Sequence, residues 1–277
     1  MTTAVGWICA TGSALLFGVT SALQHTAAGR ASRRAPLDPG LLRDLLRDRL
    51  WLLGSACDVG AVALQAVALR AAPVLFVQPL LALGLPCAVL VRDLLQRRRP
   101  AWRDVVTCLA SALSVAALVI ITEPRGSAVV PTTAQLLAVA AILATIAVLP
   151  RLARRDRPTA LLAAGSAGVA LGLGAVLLRL VTSGWGSLPY GRLLLSIALL
   201  LAAGTLGLLA TQSAFQYGPL AAPLALLTVV EPGSAAVGGR TILDEQLVLT
   251  GVRLPAACVA AALGIATVII LARRLEH

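Results

Sequence analysis

The chain has 277 residues, of which 58% are hydrophobic and 13% are charged, and its formal net charge is +11. A soluble domain would carry about twice that charged fraction, so the composition excludes an ordinary soluble protein. Apolar runs of about 20 residues recur along the chain, which predicts an all-α polytopic membrane protein. The basic residues lie in short loops between these runs, so they indicate membrane topology, with the lipid bilayer and no nucleic acid as a partner.

Nine transmembrane spans are predicted in chain order. They cover residues 4–24, 50–70, 73–92, 103–122, 133–150, 158–181, 190–216, 219–240 and 251–273. All 23 basic residues are arginine, and most of them lie in loops and a tail on one side of these spans. The positive-inside rule therefore predicts an outside N-terminus and a cytoplasmic C-terminus. The complete absence of lysine is typical of a GC-rich bacterial genome, so the expected location is a bacterial inner membrane.

A weak internal repeat relates the two halves of the chain. Residues 65–86 resemble residues 212–232, because each segment begins with a glutamine, turns at a proline and reaches another proline 13 residues later, at Pro86 and Pro232. The first four spans then match the last four, with the fifth as a linker, and an odd linker inverts the second unit. Inverted repeats are typical of secondary transporters, whose substrate site lies near the membrane midplane.

This interpretation divides the chain into three parts. Residues 1–132 form an N-terminal four-helix repeat that contains a basic cytoplasmic loop at 25–50. Residues 133–157 supply a linker helix and a basic loop, and residues 158–277 form the C-terminal repeat. Within the basic loop, the segment "PGLLRDLLRDRL" predicts an amphipathic helix on the inner leaflet, with Leu41, Leu45 and Leu46 on one side.

Glu231 lies near the middle of the eighth predicted span and is followed by Pro232 and Gly233. A charge at that depth costs several kcal/mol unless it is paired, hydrated or protonated. Proline leaves a backbone carbonyl without its helical donor, which is tolerated only where that carbonyl faces protein or a water-filled cavity. The sequence therefore predicts an interrupted helix beside a cavity. Glu231 is either a coupling carboxylate that binds a proton or cation there, or a neutral residue bonded to a neighbouring helix.

Other polar residues within the spans extend this candidate site. Asp58 and Gln65 share one helix face two turns apart, and Gln212 and Gln216 share another, so these side chains predict either a polar route or ordinary interhelical bonding. The candidate ligand-binding residues are Glu231, Asp58, Gln65, Gln78, Gln212 and Gln216, and the candidate hinges are Pro232, Gly233, Pro79 and Pro86. If a cation is carried, Glu231 and Asp58 are its expected ligands, although the metal itself stays unknown.

Two further motifs have structural interpretations. The spacing Gly168-x-x-x-Gly172 indicates close helix packing. Arg179 lies near an outer span end, where we expect its side chain to reach the membrane interface. Only two histidines exist and the five cysteines are scattered singly, so no catalytic residues, enzyme activity or cofactor are predicted.

The second half of the chain resembles the drug/metabolite transporter superfamily. The stretch "SAFQYGPLAAPLALLTVVEPGSAAVGGRTILDEQL" shows a proline turn, a proline-bearing helix and an acidic segment, with Glu245 at the position of the superfamily's glutamate. The earlier stretch "WLLGSACDVGAVALQAVALRAAPVLFVQPL" is similar to the branch of the NIPA-type magnesium transporters and their actinobacterial relatives. The resemblance implies an EamA-like transporter fold. The chain departs from the family pattern in two ways. It has nine predicted spans where ten are usual, and it has Asp58 where a glutamate is usual.

These observations favour a secondary transporter that works by alternating access and moves a small metabolite or a cation. The NIPA-like first half favours a divalent cation such as magnesium, whereas the small number of acids favours an organic metabolite, since magnesium sites use several oxygen ligands. The alternative from another class is a non-transporting membrane subunit that assembles with a membrane enzyme. The oligomeric state is left open, with a homodimer as one candidate.

Overall fold

The computed structural model describes residues 2–95, 97, 102–122, 124–126, 130–153, 155–186, 188–217, 221–247 and 251–275. Its helices are α1 (Thr2–Ala28), α2 (Pro39–Leu45), α3 (Arg49–Ala71), α4 (Val74–Leu81), α5 (Gly84–Leu95), α6 (Trp102–Thr122), α7 (Thr133–Leu152), α8 (Asp156–Gly184), α9 (Tyr190–Tyr217), α10 (Ala221–Ile242) and α11 (Arg253–Leu275). Residue Pro219, the first proline of the second repeat unit, lies outside the described residues.

Eight helical segments in the described ranges are long and apolar enough to cross a membrane. This is the architecture of a multi-pass membrane protein, and α4 and α5 together make one of the eight segments. The remaining long helix is α10, which has 22 residues and corresponds to the eighth predicted span. Polar side chains cap the N-termini of several helices. At the start of α3, for example, the side chain of Asp48 accepts hydrogen bonds from the backbone N–H groups of Leu50 and Trp51.

Two groups of helices surround a common centre. In the first group α1 packs against α3, α4 and α5, and in the second group α8 packs against α9 and α10. Helices α4 and α10 meet each other, while α6 pairs with α11 at the side. The loops that join α1 to α3 form one end of this assembly, called here the arginine-rich end. The turn between α3 and α4 and the segments after α6 and α10 form the opposite end.

The helix interruption lies in the third predicted span and not in the eighth. Helix α4 ends at Leu81 and α5 begins at Gly84. Pro86 explains this position, because it has no N–H to donate to the carbonyl of Ala82, and that carbonyl instead accepts the N–H of Leu85 at 3.2 Å. The candidate hinge Pro86 therefore coincides with a break, whereas Pro79 lies within α4.

The expected interruption at Pro232 is wrong, because α10 continues through this proline to Ile242. Close packing against α8 supports the helix here. A Cβ on Gly168 would lie 3.1 Å from the backbone nitrogen of Glu231, and one on Gly172 would lie 2.4 Å from the Glu231 carbonyl oxygen. The predicted close packing at these two glycines is thus confirmed. Gly233, the other candidate hinge, lies on the exposed face of α10 and has no atoms within 4 Å of a built Cβ.

The short helix α2 differs from its predicted surface location. Leu41 and Leu45 are fully buried against the protein, in a cluster that includes Trp51 and Phe215, while Leu46 is exposed. The sequence placed all three leucines on one membrane-facing side. The difference arises because α2 folds back under the helical assembly, where its two buried leucines find apolar side chains from α3 and α9.

Candidate functional site

A cavity of about 260 Å³ lies at the centre of the protein, between α1, α3, α4, α5, α8, α9 and α10. Most of its wall is apolar, but polar side chains face it from several helices. These are the acids Asp58 and Glu231, the amides Gln24, Gln65 and Gln78, and the hydroxyl residues Thr20, Ser21, Thr211 and Thr228. The cavity therefore combines an apolar chamber with a small set of polar groups, which is the usual composition of a small-molecule site.

The structure brings Asp58 and Glu231 to the same cavity from different helices. Glu231 is the eleventh of 22 residues in α10, and Asp58 is the tenth of 23 residues in α3, so both lie near the middle of their helices. Both carboxyl groups line this chamber. Among the described residues, neither group has a cationic partner or a hydrogen-bond donor. Two unpaired acids in an apolar chamber attract a positively charged ligand or protons.

Gln78 is the most unusual amide of the cavity wall. Its side chain is 1% exposed, and neither its amide nitrogen nor its amide oxygen has a hydrogen-bond partner among the described residues. The hydroxyl of Thr211 also faces the cavity without a partner in that part of the chain. A buried amide with neither bond made costs free energy, so a ligand that supplies both a donor and an acceptor would stabilise Gln78.

The predicted glutamines have different roles in the structure. Gln65 lines the cavity as expected. Gln212 is fully buried and donates a 2.6 Å hydrogen bond to Gln24, which itself lines the cavity near the arginine-rich end. Gln216 is not among the residues that line the cavity, so of the two interpretations of its spacing the structure supports ordinary bonding and not a polar route. The side-chain oxygen of Gln216 accepts the N–H of Arg34 at 3.1 Å and its nitrogen donates to the carbonyl of Ser32 at 2.7 Å.

Gln216 thus belongs to a set of contacts that fastens the segment 30–38 to the end of α9. The N–H of Leu37 donates to the hydroxyl of Ser213 at 2.9 Å, and the hydroxyl of Tyr217 donates to the carbonyl of Arg34 at 2.6 Å. These contacts join the loop of the first half to a helix of the second half. We call the segment 30–38 with its α9 partners the loop strap.

A second polar cluster, absent from the predicted site, lies at the opposite end of the cavity. Arg179 is 5% exposed and its Nε atom lies 2.9 Å from the carboxylate of Glu245, which is fully buried. The carboxylate of Glu245 also accepts hydrogen bonds from the backbone N–H groups of Val74 and Leu75, at 2.9 and 3.0 Å. The expectation that Arg179 reaches the membrane interface is therefore wrong, because its guanidinium turns inward to a buried acid.

Backbone carbonyl groups complete the surroundings of the Arg179 guanidinium. It donates to Leu69, to Ala72 at 2.7 Å, and to Gly126 at 3.3 Å. Gly126 has a φ of 148°, and a Cβ there would lie 2.9 Å from the Cα of Glu245, so only glycine allows this close approach. We call Arg179, Glu245 and these backbone partners the Arg179–Glu245 cluster.

Comparisons with protein-family models, with curated proteins and with solved structures returned no match. The resemblance to the drug/metabolite transporters therefore stays a prediction from the sequence motifs. The described residues contain no group of three or more His, Cys, Asp or Glu side chains that could hold a metal ion. The charged groups that the cavity offers to a ligand are the carboxyl groups of Asp58 and Glu231.

Proposed function

We propose that this protein is a secondary transporter and that its central cavity binds a small organic cation. The observation that carries the proposal is the presence of two acids, Asp58 and Glu231, without cationic partners among the described residues, in one apolar chamber. A carboxyl group in such a chamber can hold either a proton or a cationic ligand, and exchange between the two couples transport to a proton gradient. Glu231 is the proposed coupling residue, and Asp58 is the second acid of the site.

The composition of the wall favours an organic cation over a magnesium ion. Magnesium requires a near-octahedral set of oxygen ligands, and two carboxylates among leucine and phenylalanine side chains offer few of them. An organic cation instead buries an apolar body against Phe17, Leu85 and Phe215 while its charge lies near the acids. The amide oxygen of Gln78 can accept an N–H from an ammonium or guanidinium group, and its amide nitrogen can donate to a further acceptor on the ligand.

The packing of the helices supports alternating access through an inverted repeat. If α1, α3, α4–α5 and α6 correspond to α8, α9, α10 and α11, each contact in the first set has a counterpart in the second. The pair α1–α3 matches α8–α9, α1–α5 matches α8–α10, and α3–α8 matches α1–α9. The matching helix contacts of the two halves support nine spans in a 4+1+4 arrangement, in which the two halves rotate relative to each other about the shared cavity.

Close glycine contacts support the same correspondence. A Cβ on Gly18 of α1 would lie 2.5 Å from the carbonyl oxygen of Gly84, where α5 begins. Gly172 of α8 meets the carbonyl oxygen of Glu231 in the same way, at 2.4 Å. Each repeat therefore has a glycine crossing at the level of the cavity. In the first repeat the position that corresponds to Glu231, one residue before the matched proline, is Leu85, so only the second repeat supplies an acid there.

Equilibrium binding to the purified protein in detergent tests this proposal. The probe is radiolabelled phenethylamine, with agmatine, benzoate and magnesium chloride as competitors. We expect saturable phenethylamine binding that agmatine displaces and that benzoate and magnesium do not. Glu231→Gln keeps the size of the side chain but removes its charge, so we expect at least about tenfold weaker binding, about 1.4 kcal/mol.

The matched control is Asp44→Asn, which removes an acid that lies outside the cavity and pairs with Arg34. We expect this variant to bind as the wild type does. Absence of binding by every amine in the series, or tight binding that Glu231→Gln leaves unchanged, would reject the carboxylate site.

A further inference from the structure

The Arg179–Glu245 cluster connects the two halves of the protein at one end of the cavity. Arg179 and Glu245 belong to the second half, and the backbone groups that they contact at Leu69, Ala72 and Val74 belong to the first. Leu178, next to Arg179 in α8, lines the cavity. The cluster thus lies where a ligand would enter or leave at the end opposite the arginine-rich loops.

The bonds in this cluster differ in kind from those at the other end. The loop strap and the Gln24–Gln212 contact use mainly amides, hydroxyls and backbone groups, and the ion pair that joins this loop to α8, Arg33–Asp156, is exposed to solvent. At the Arg179–Glu245 cluster a buried cation and a buried anion are each completed by backbone groups of the first half. Removing one partner of such a pair leaves an uncompensated buried charge, which strongly destabilises the arrangement that buries it.

The segment after α6 adds backbone hydrogen bonds at this end of the cavity. Arg125 and Gln246 exchange two backbone hydrogen bonds, of 2.9 and 2.8 Å, which place Gly126 against Glu245. The α3–α4 turn, α8 and the segments after α6 and α10 therefore meet at one pair of side chains. Separation of the two halves at this end must break the contacts of Glu245 with Val74 and Leu75.

We infer that Arg179 and Glu245 are gating residues, whose pairing closes the cavity at this end and whose separation opens it. This inference rests on the proposed function, because a gate is meaningful only in a protein that opens alternately at its two ends. The pair does not bind the transported ligand. It sets the population of the state that is closed at this end, so weakening it shifts the protein toward the state that is open there.

A cysteine-labelling experiment tests the gate without any ligand. All five native cysteines are replaced, and Leu178→Cys introduces one thiol in the cavity wall beside the cluster. A membrane-impermeant maleimide is applied to right-side-out and to inverted membrane vesicles, and the labelling rate is measured in each. A separate protein with Val130→Cys, an exposed position after α6, identifies which vesicles present the cluster side to the reagent.

Glu245→Gln in the Leu178→Cys background is the decisive variant. We expect its labelling from the cluster side to be at least about tenfold faster than that of the unaltered pair, because the Arg179 charge is left unpaired in the closed state. Asp244→Asn is the matched control. Asp244 is the adjacent acid, it is exposed and paired only with Arg240 among the described residues, and asparagine tolerates its φ of 50°. We expect this variant to label at the original rate.

A milder variant covers the case in which Glu245→Gln does not accumulate in the membrane. Glu245→Asp keeps the charge but shortens the side chain, so it cannot reach Arg179 and both backbone N–H groups together, and we expect faster labelling here too. An unchanged rate in a folded variant would overturn the gate. So would failure of both variants to accumulate while Asp244→Asn does, because the pair would then be required for folding. Faster labelling without amine binding would reject the proposed ligand but support the role of Arg179 and Glu245 as gating residues.

Discussion

Gly172→Ala is the substitution for which the structure gives the clearest magnitude. A Cβ at this position would lie 2.0 Å from the hydroxyl oxygen of Ser234, 2.4 Å from the carbonyl oxygen of Glu231 and 2.9 Å from the nitrogen of Ala235. The Ser234 side chain can rotate away, but the two backbone atoms cannot. Helices α8 and α10 must therefore separate by about 1 Å to restore ordinary van der Waals contact, and overpacking of this kind costs about 1–3 kcal/mol.

Thermal unfolding of the detergent-solubilised protein, followed by tryptophan fluorescence, measures this effect. We expect Gly172→Ala to lower the midpoint by several degrees and to weaken amine binding, since it displaces the backbone of Glu231. Gly233→Ala is the control, because nothing lies within 4 Å of its Cβ and alanine is a better helix former by about 0.5–1 kcal/mol. An unchanged midpoint for Gly172→Ala would refute the close α8–α10 crossing that positions Glu231.

Two further predictions concern polar groups inside and outside the cavity. Gln78→Leu removes an amide whose two polar atoms lack partners in the described residues, so we expect it to raise the thermal midpoint while it weakens amine binding. Gln212→Leu instead breaks the hydrogen bond to Gln24, so we expect it to lower the free energy of unfolding by about 1 kcal/mol. If Gln78→Leu binds phenethylamine normally, the amide does not contact the ligand. The hydrogen bond from Arg34 holds the pKa of Asp44 below its ordinary value. This contact therefore stabilises the protein above the ordinary titration range of aspartate, and the contribution is lost as the pH falls through the lowered pKa, so Asp44→Asn should flatten acid-induced unfolding followed at pH 2–6.

The sequence predicted four polar residues that line the cavity, Asp58, Glu231, Gln65 and Gln78, but not the hydroxyl residues of its wall. Glu231 and Asp58 were identifiable because a charge in the middle of an apolar span is costly and has few structural explanations. Their meeting in one cavity also follows from the proposed pairing of the halves. Gln78 was one candidate among several glutamines, and only its burial without partners distinguishes it from Gln212 and Gln216.

The errors have physical reasons as well. A proline indicates a missing hydrogen bond, but the neighbouring helix decides whether the backbone breaks. At Pro232 the crossing with α8 keeps α10 continuous, whereas near Pro86 the third span breaks at Ala82. The Arg179–Glu245 pair could not be predicted, because helical periodicity does not show which helices become neighbours. The signal available was the presence of a single arginine close to the end of an otherwise apolar run.

Proton-driven uptake into proteoliposomes tests the central claim most directly. The purified protein is reconstituted, an acidic lumen is imposed, and accumulation of radiolabelled phenethylamine is measured against liposomes without protein and with the gradient collapsed by an ionophore. We expect protein-dependent accumulation that requires the gradient, that Glu231→Gln abolishes and that Asp44→Asn retains. Accumulation by Glu231→Gln at the wild-type rate, with the same dependence on the gradient, would contradict the assignment of Glu231 as the carboxylate that couples proton and cation.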